Sequence, residues 1–387
     1  MPSELRKDPL SQRWVIIAAD RAKRLSDFEL EAAPDAPLFD PFIPGNEDKT
    51  PPEITAYRKA GTAPNTAGWR VRVMPNKFPV LGIEGKLNPR GDGIYDHMYG
   101  IGAHEVIVDT PKCVRSITAL NDLEVQDIIW MYRDRLIDLR KDSRLKYGMI
   151  FKNVGSAAGA TVYHSHSQLI VTPIVPRAIM QKMDACEEFF KYRGRCLICD
   201  MVAQELEQAR RVILDSEHFA AFEPYAPRTP FETWIIPKIH ETHFEDLRQP
   251  ACEDLAFTLR RTLALLEKGL GQLAYNYMFF TAPFNCGPLP HFHWHIEIIP
   301  RMTKLAGFEW GTGFYINPVP PEEAADFLRG LRIVEPPAAV RAAAASTVPA
   351  ATATTAVPAS PAAQVTGAAA VPGAKDKDVG GQGARAS

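Results

Sequence analysis

Two histidine-rich segments, each preceded by the same order of predicted elements, constrain the fold of this chain more than any other feature. The polar residues that alternate along them are His164, His166 and Gln168 in the first segment and His291, His293 and His295 in the second. Successive side chains of a β-strand point to opposite faces, so each set shares one face. The middle histidines, His166 and His293, lie 127 residues apart. This repetition predicts an internally duplicated chain.

The elements before the two segments support the duplication. Helical periodicity covers residues 120–141 and again roughly residues 254–268. A strand-like segment follows each helix, at residues 147–152 and at residues 275–280. The pattern predicts an α+β fold of two tandem, related units, with mainly antiparallel sheets and flanking helices.

The length and composition of the chain suggest where these units begin and end. The chain has 387 residues, enough for two domains with full hydrophobic cores. We place the units at residues 1–175 and 176–335. Residues 336–387 are rich in Ala, Pro and Thr and lack aromatic side chains, so we expect a disordered tail there.

Charge and hydropathy exclude two classes of partner. The net charge is −2, so no global basic field favours binding to nucleic acid or to an anionic membrane surface. The N-terminus is polar, and no apolar run reaches transmembrane length. We therefore expect a cytoplasmic protein that binds neither nucleic acid nor membrane.

Cysteine spacing points to a metal centre in the second unit. Cys196 and Cys199 are separated by two residues, a spacing typical of zinc sites. Two ligands do not close a tetrahedral site, and we predict that His240, which follows a strand, and His291 supply the other two. A packed or redox-active cysteine pair is the alternative, and the two placed histidines favour zinc.

The first histidine segment is the better candidate for chemistry on a phosphate. The small residues of 153–161 form a loop that a phosphate can approach closely, and Gln168 adds an amide donor. A neutral imidazole in this setting is suited to attack phosphorus. Prolines and aromatic residues crowd the second segment, for which we predict a structural role. The basic turn with Arg21 and Arg24 is either a phosphate clamp or a solvated turn.

Over residues 3–332 the chain resembles the galactose-1-phosphate uridylyltransferase family, which has a double histidine-triad fold. The motifs that carry the resemblance are Arg21-Ala-Lys-Arg24, Pro44-Gly-Asn-Glu47, Thr50-Pro-Pro-Glu53, Asn76-Lys-Phe-Pro, Asn153-Val-Gly, His164-Ser-His-Ser-Gln168, Cys196-Leu-Ile-Cys199, His291-Phe-His-Trp-His295 and Gly307-Phe-Glu-Trp-Gly-Thr-Gly313. The His-Ser-His-Ser-Gln form is most similar to the branch that includes ADP-glucose phosphorylases.

The resemblance implies a covalent mechanism. His166 attacks the α-phosphorus of a nucleotide sugar, sugar 1-phosphate leaves, and a second sugar phosphate or inorganic phosphate takes the nucleotidyl group. Gln168 holds the non-bridging oxygens. The residues implied to contact nucleotide and phosphate are Arg21, Arg24, Asn76, Asn153 and Gly159. Residues 308–313, with Phe308, Gly311 and Gly313, are implied to reach the sugar site of a neighbouring subunit in a homodimer.

Two departures from the family pattern matter. The positions of a first zinc site are Asp40, Ile43, Cys113 and His164, and the Ile43 side chain has no ligand atom. We therefore predict that this site is empty or weak, and that the protein holds one structural zinc in its C-terminal half. Lys77 replaces an acidic residue of the uridylyltransferases, which leaves the choice of nucleotide open.

Four functions remain open from the sequence. The leading hypothesis is a UDP-glucose–hexose-1-phosphate uridylyltransferase of galactose metabolism. The second is an ADP-glucose phosphorylase, an adenylyltransferase that uses phosphate as acceptor. A nucleotide hydrolase is the third, and Gln168 in place of a third histidine argues against it. The fourth is a zinc-stabilised nucleotide-binding protein without turnover, which the presence of both His166 and Gln168 disfavours.

Overall fold

The computed structural model describes residues 2–21 and 38–333. The strands within these ranges are β1 Glu4–Lys7, β2 Trp14–Ile17, β3 Thr55–Arg58, β4 Trp69–Pro75, β5 Arg90–Asp92, β6 Tyr95–His97, β7 Ala103–Val108, β8 Tyr147–Val154, β9 His166–Thr172, β10 Val212–Asp215, β11 Phe219–Phe222, β12 Thr233–Pro237, β13 Tyr275–Phe280, β14 His295–Pro300 and β15 Tyr315–Asn317. The helices are α1 Asp122–Leu139, α2 Arg177–Arg193, α3 Leu197–Gln208, α4 Gln249–Leu270, α5 Gly307–Thr312 and α6 Pro321–Gly330. Arg24 and the predicted tail at 336–387 lie outside the described residues.

Ten strands form one central sheet in the order β10-β11-β12-β14-β13-β8-β9-β7-β4-β3. Every neighbouring pair in this sheet is antiparallel. Each half of the chain contributes five strands in mirrored order, and β8 pairs with β13 at the centre, where Asn153 lies opposite Asn276. The predicted α+β class, the internal duplication and the mainly antiparallel sheet are confirmed.

One face of this sheet is covered by α1 and α4, the two helices that sequence periodicity predicts. Asn121 and Glu124 form a capping box at the start of α1, which satisfies two N–H groups of the first turn. Val125, Ile129 and Leu136 of α1 are buried at helical spacing in the largest hydrophobic cluster. Helix α4 begins earlier than predicted, at Gln249. Pro250 lies in its first turn, where the missing proline N–H costs no helical hydrogen bond.

The opposite face of the sheet carries the polar residues of the first histidine segment. Strand register places His166 opposite Val108 and Gln168 opposite Val106. Leu169, which alternates with them, belongs to the cluster under α1 and α4. His166 and Gln168 therefore point away from that core.

Smaller elements surround the central sheet. β1, β2 and β15 form a three-stranded sheet in which β15 runs parallel to β2, and β5 and β6 form a hairpin. Residues 307–312 form the short helix α5, where the Glu309 carboxylate accepts a hydrogen bond from the Ala306 N–H. Across residues 2–21 and 38–333, every helix is too short or too polar to cross a membrane.

Candidate active site and metal centre

His166 opens β9, and its ring orientation is fixed by the residue two positions before it. The Nδ1–H of His166 donates to the carbonyl oxygen of His164 at 2.8 Å. In the neutral ring this leaves the lone pair on Nε2. The ring is 8% exposed and meets Phe42 edge-on, with centroids 5.5 Å apart. Burial, the largest influence, lowers the pKa of His166, so the neutral and nucleophilic form is favoured.

Gln168 lies on the same face as His166, beside a histidine that the sequence analysis did not single out. His104 Nε2 is 2.9 Å from Gln168 Oε1 and 3.1 Å from Asn76 Nδ2. The Val80 N–H donates to His104 Nδ1 at 3.3 Å. The structure thus joins two of the predicted site residues, Gln168 and Asn76, through His104. The only sequence signal for it was its position near the start of a strand, in Ala103-His-Glu-Val-Ile-Val108.

Asn153 and Gly159 flank the small-residue loop between β8 and β9. Gly155 and Gly159 both have positive φ values, +84° and +87°, and a single helical turn at residues 156–158 separates them. A Cβ added at Gly159 would lie 3.8 Å from Asn153 Nδ2. The predicted close-approach loop is therefore present beside an amide group on the face of His166.

Four other predicted substrate residues lie outside this cluster. Arg21 ends an exposed helical turn, Phe308 and Gly311 belong to the exposed helix α5, and Gly313 ends that helix with φ +73°. Among the residues that the structure describes, no hydrogen bond or ion pair joins any of the four to His166, Gln168 or Asn153. Their roles in substrate binding therefore stay predictions.

A buried ion pair supports the start of β9 from the side of α1. Lys152 and Asp109 have side chains that are 0% exposed, and the Lys152 ammonium donates to the Asp109 carboxylate. The same ammonium donates to the His166 carbonyl oxygen at 3.0 Å. The hydroxyls of Ser165 and Ser167 donate to Asp109 at 2.8 and 3.1 Å. Both serines of the His-Ser-His-Ser-Gln motif thus anchor the backbone around His166.

Cysteine and histidine side chains converge at a second site, in the C-terminal half. The ligand atoms of Cys196, Cys199, His240 and His293 all lie within 4.8 Å of one another. His240 Nε2 donates to the Leu289 carbonyl oxygen at 2.9 Å, so its Nδ1 carries a lone pair, 3.3 Å from Cys199 Sγ. Such second-shell bonds orient histidine ligands in metal sites.

The electrostatics of this cluster suit a cation. A hydrogen bond from Cys199 is the main reason that the pKa of Cys196 falls to about 4. The pKa of Cys199 is raised because it shares its proton with the Cys196 thiolate. Nε2 of His293 is buried and has no hydrogen-bond partner in the part of the chain that the structure describes. Two thiols and two imidazoles in this arrangement fit a four-coordinate metal ion.

In the structure, the fourth residue of this potential ligand group is His293 and not His291. We predicted His291, whose backbone carbonyl contacts Cys196 while its ring lies beside Phe190, with centroids 6.2 Å apart. His295 Nδ1 approaches the His293 carbonyl oxygen at 3.4 Å, as His166 does that of His164. His293 is therefore the counterpart of His164, and His295 that of His166. The sequence alignment of the two halves was wrong by two residues, so the candidate ligand is His293.

The counterpart of His166 in the second half is enclosed. His295 is fully buried, stacks on Phe280 and lies 3.0 Å from Lys182 Nζ. Glu297, at the position of Gln168, receives hydrogen bonds from Lys182 and Arg228. Protein groups thus occupy the space that a substrate would need next to His295.

The positions of the first zinc site form a hydrogen-bonded cluster. Potential ligand atoms of Asp40, Cys113 and His164 lie within 4.8 Å of one another, and Ile43 contributes none. His164 Nδ1 is 2.7 Å from Asp40 Oδ2, and His164 Nε2 is 2.7 Å from the Thr110 carbonyl oxygen. Burial opposes ionisation of Asp40, but hydrogen bonds from His164 and the Phe42 N–H outweigh it and lower the pKa. These protein contacts already orient His164. That this site lacks zinc stays a prediction.

Family models and individual known proteins that match this chain are related to one another. Residues 1–176 match the family described as galactose-1-phosphate uridyl transferase, N-terminal domain, and residues 182–316 match the corresponding C-terminal domain. An ADP-glucose phosphorylase of Arabidopsis thaliana is 35% identical over 333 residues, covering 84% of this chain and 92% of that protein. A galactose-1-phosphate uridylyltransferase of Thermotoga maritima is 30% identical over 335 residues, covering 84% and 98%.

Solved structures agree with these relatives. The crystal structure of an ADP-glucose phosphorylase from Arabidopsis thaliana with bound ADP-glucose superposes with a TM-score of 0.73 at 34% identity, covering 86% of this chain and all of that one. A uridylyltransferase structure gives a TM-score of 0.66 at 26% identity, covering 84% and 97%.

Proposed function

Because the chain belongs to the galactose-1-phosphate uridylyltransferase family, we propose that it transfers a nucleotidyl group from a nucleotide sugar through a covalent intermediate on His166. One observation carries this proposal: the Nδ1–H of His166 is committed to the His164 carbonyl, which leaves Nε2 as the nucleophilic atom. Within residues 2–21 and 38–333, no protein group hydrogen-bonds to that Nε2.

The proposed reaction has two displacements at one phosphorus. The Nε2 lone pair attacks the α-phosphorus, the bond from phosphorus to the bridging oxygen breaks, and its electron pair leaves with the sugar 1-phosphate. The imidazole that carries the nucleotidyl group is positively charged, and the His164 carbonyl stabilises that charge through Nδ1–H. The acceptor then attacks the same phosphorus, and the electron pair of the N–P bond returns to Nε2.

Amide donors next to His166 are proposed to hold the non-bridging oxygens of this phosphoryl group. Gln168 follows His166 on the same face, and Asn153 lies on the neighbouring strand β8. Preorganised donors of this kind stabilise charge that develops in a transition state, and loss of one costs about 10²–10³-fold in rate. The second half of the chain offers no such pair, since Glu297 replaces Gln168 there.

For the substrates, we favour ADP-glucose as nucleotide donor and inorganic phosphate as acceptor. The support is the 35% identity to an ADP-glucose phosphorylase, against 30% to the uridylyltransferase of Thermotoga maritima, and the higher TM-score to the former type. The second candidate pair is UDP-glucose with hexose 1-phosphate, supported by that 30% identity over 98% of the uridylyltransferase.

Intact-mass spectrometry distinguishes these reactions. The protein is incubated separately with ADP-glucose and with UDP-glucose, and we expect a mass gain of one adenylyl group from ADP-glucose. Addition of phosphate should remove the group and release ADP, whereas galactose 1-phosphate should not. His166→Asn should abolish the adduct, and His97→Asn, at an exposed histidine, serves as the matched control. An unchanged adduct on His166→Asn would refute the assignment.

We further propose that Cys196, Cys199, His240 and His293 bind one structural zinc ion. A set of two sulfur and two nitrogen ligands favours tetrahedral zinc, and the ion would tie α3 to the loop after β12 and to the loop before β14. Elemental analysis of the purified protein should find about one zinc per chain. Two zinc ions per chain would contradict the proposed loss of the first site.

A homodimer is also proposed, with α5 at the interface. Phe308 and Trp310 on this helix are 48% and 76% exposed, large apolar surfaces for a free helix. Light scattering should give twice the chain mass. If α5 completes the neighbouring site, mixed dimers of His166→Asn with Phe308→Ser should regain activity that neither variant has alone.

A further inference from the structure

Asn276 of the second half lies between Arg301 and the first-half residue Asn153. The Nε–H of Arg301 donates to Asn276 Oδ1. Asn276 Nδ2 donates to the Ala158 carbonyl oxygen at 2.9 Å and to Asn153 Oδ1 at 2.7 Å. Asn276 is 6% exposed, so these partners fill its surroundings.

These contacts permit only one orientation of the Asn276 amide. A guanidinium N–H can only donate and a backbone carbonyl can only accept, so Oδ1 must face Arg301 and Nδ2 must face Ala158. The second hydrogen on Nδ2 then points to Asn153, which must present an acceptor. The orientation of the Asn153 amide is therefore determined by residues of the other half of the chain.

The consequence is that the NH2 group of Asn153 faces away from Asn276. The structure gives this Nδ2 no hydrogen-bond partner among the described residues, and the neighbouring Gly159, whose added Cβ would lie 3.8 Å from it, carries no side chain. Phe151 lies opposite Gln168 in the antiparallel pair of β8 and β9, so Asn153, two residues later, lies opposite His166. The free donor thus lies on the face, and at the level, where the proposed phosphoryl transfer takes place.

We propose that Asn276 and Arg301 are positioning residues for the His166 site, because they hold Asn153 with its NH2 group toward the phosphate oxygens. This inference rests on the proposed function. Without the two residues, the Asn153 amide is free to flip, and its carbonyl oxygen would then repel the phosphate. Because β8 pairs with β13, residues of the second half help to form the proposed site of the first half.

Asn276→Asp tests the proposal because it keeps the size of the side chain and reverses its hydrogen bonding. A carboxylate only accepts, so Asn153 must turn its NH2 group toward residue 276 and its oxygen toward the substrate. The rate of nucleotidyl-adduct formation should fall about 10²–10³-fold, the loss typical for one such donor. The effect should appear in kcat, with a smaller change in KM.

Arg301→Met is a second variant that does not threaten folding, since Arg301 is exposed. It removes one of the two groups that fix Asn276 and leaves only the Ala158 carbonyl, so the amide orientation is held less firmly. We expect about a tenfold loss in the rate of nucleotidyl-adduct formation. Arg301→Lys retains a donor and should restore most of the rate. A rate for Arg301→Met equal to that of the unmodified protein would overturn the role of Arg301.

A double-mutant cycle separates positioning from a structural role. Asn153→Ala removes the amide through which Asn276 acts, so adding Asn276→Asp to it should cause no further loss. Equal losses in both backgrounds would refute the proposal. If the unmodified protein forms no adduct with ADP-glucose or UDP-glucose, the proposed function fails by itself. The positioning role is then decided by calorimetry with AMP and UMP, where Asn276→Asp must weaken binding; unchanged binding would refute it.

Discussion

Replacement of Lys152 by methionine should destabilise the protein strongly, because it leaves the Asp109 carboxylate buried without a cation. Both side chains are 0% exposed, and Lys152 also donates to Ser165 Oγ at 2.8 Å and to the His166 carbonyl at 3.0 Å. Methionine has a similar length and fills the space, so the change removes charge and donors rather than packing.

The free energy of unfolding should fall by about 3–5 kcal/mol, the range measured when one partner of a buried ion pair is removed. Asp109 keeps the hydroxyl donors of Ser165 and Ser167, which places the loss within that range rather than above it. Lys141→Met is the control. The Lys141 side chain is 72% exposed and its Asp138 partner lies at 3.1 Å, so this change should cost less than about 1 kcal/mol.

Urea unfolding followed by tryptophan fluorescence gives the free energy of unfolding of both variants. The double variant Asp109→Asn with Lys152→Met decides whether charge is the cause. It buries no ion, and an amide at 109 still accepts a hydrogen bond from a serine hydroxyl, so most of the lost stability should return. A double variant no more stable than Lys152→Met, or a loss below about 1 kcal/mol for the single variant, would refute the reasoning.

Three further predictions follow from other parts of the structure. Burial lowers the pKa of His166, so the acidic limb of kcat/KM should lie below the ordinary histidine value of about 6.5, as initial rates across pH would show. Cys199→Ser should reduce bound zinc well below about one ion per chain by elemental analysis. Gly102→Ala places a Cβ 2.3 Å from the Val171 carbonyl oxygen and should cost about 1–3 kcal/mol in urea unfolding, whereas Gly287→Ala, with nothing within 4 Å, should be neutral.

The sequence was sufficient for the features that depend on local periodicity. Alternation along a strand placed His166 and Gln168 on one face, and the repeated order of elements predicted the duplicated antiparallel sheet. Helical spacing located α1 and α4 to within a few residues. These properties belong to segments of about ten to twenty residues, which the order of side chains determines directly.

Only the tertiary structure decided which residues meet across the sheet. His291 and His293 share a face in any strand, so alternation cannot tell which one reaches Cys196 and Cys199; the register of the second half selects His293. The pairing of β8 with β13 likewise brings Asn276 to Asn153, 123 positions apart. A shift of two residues preserves every local pattern and changes every long-range contact, because the side-chain period of a strand is two.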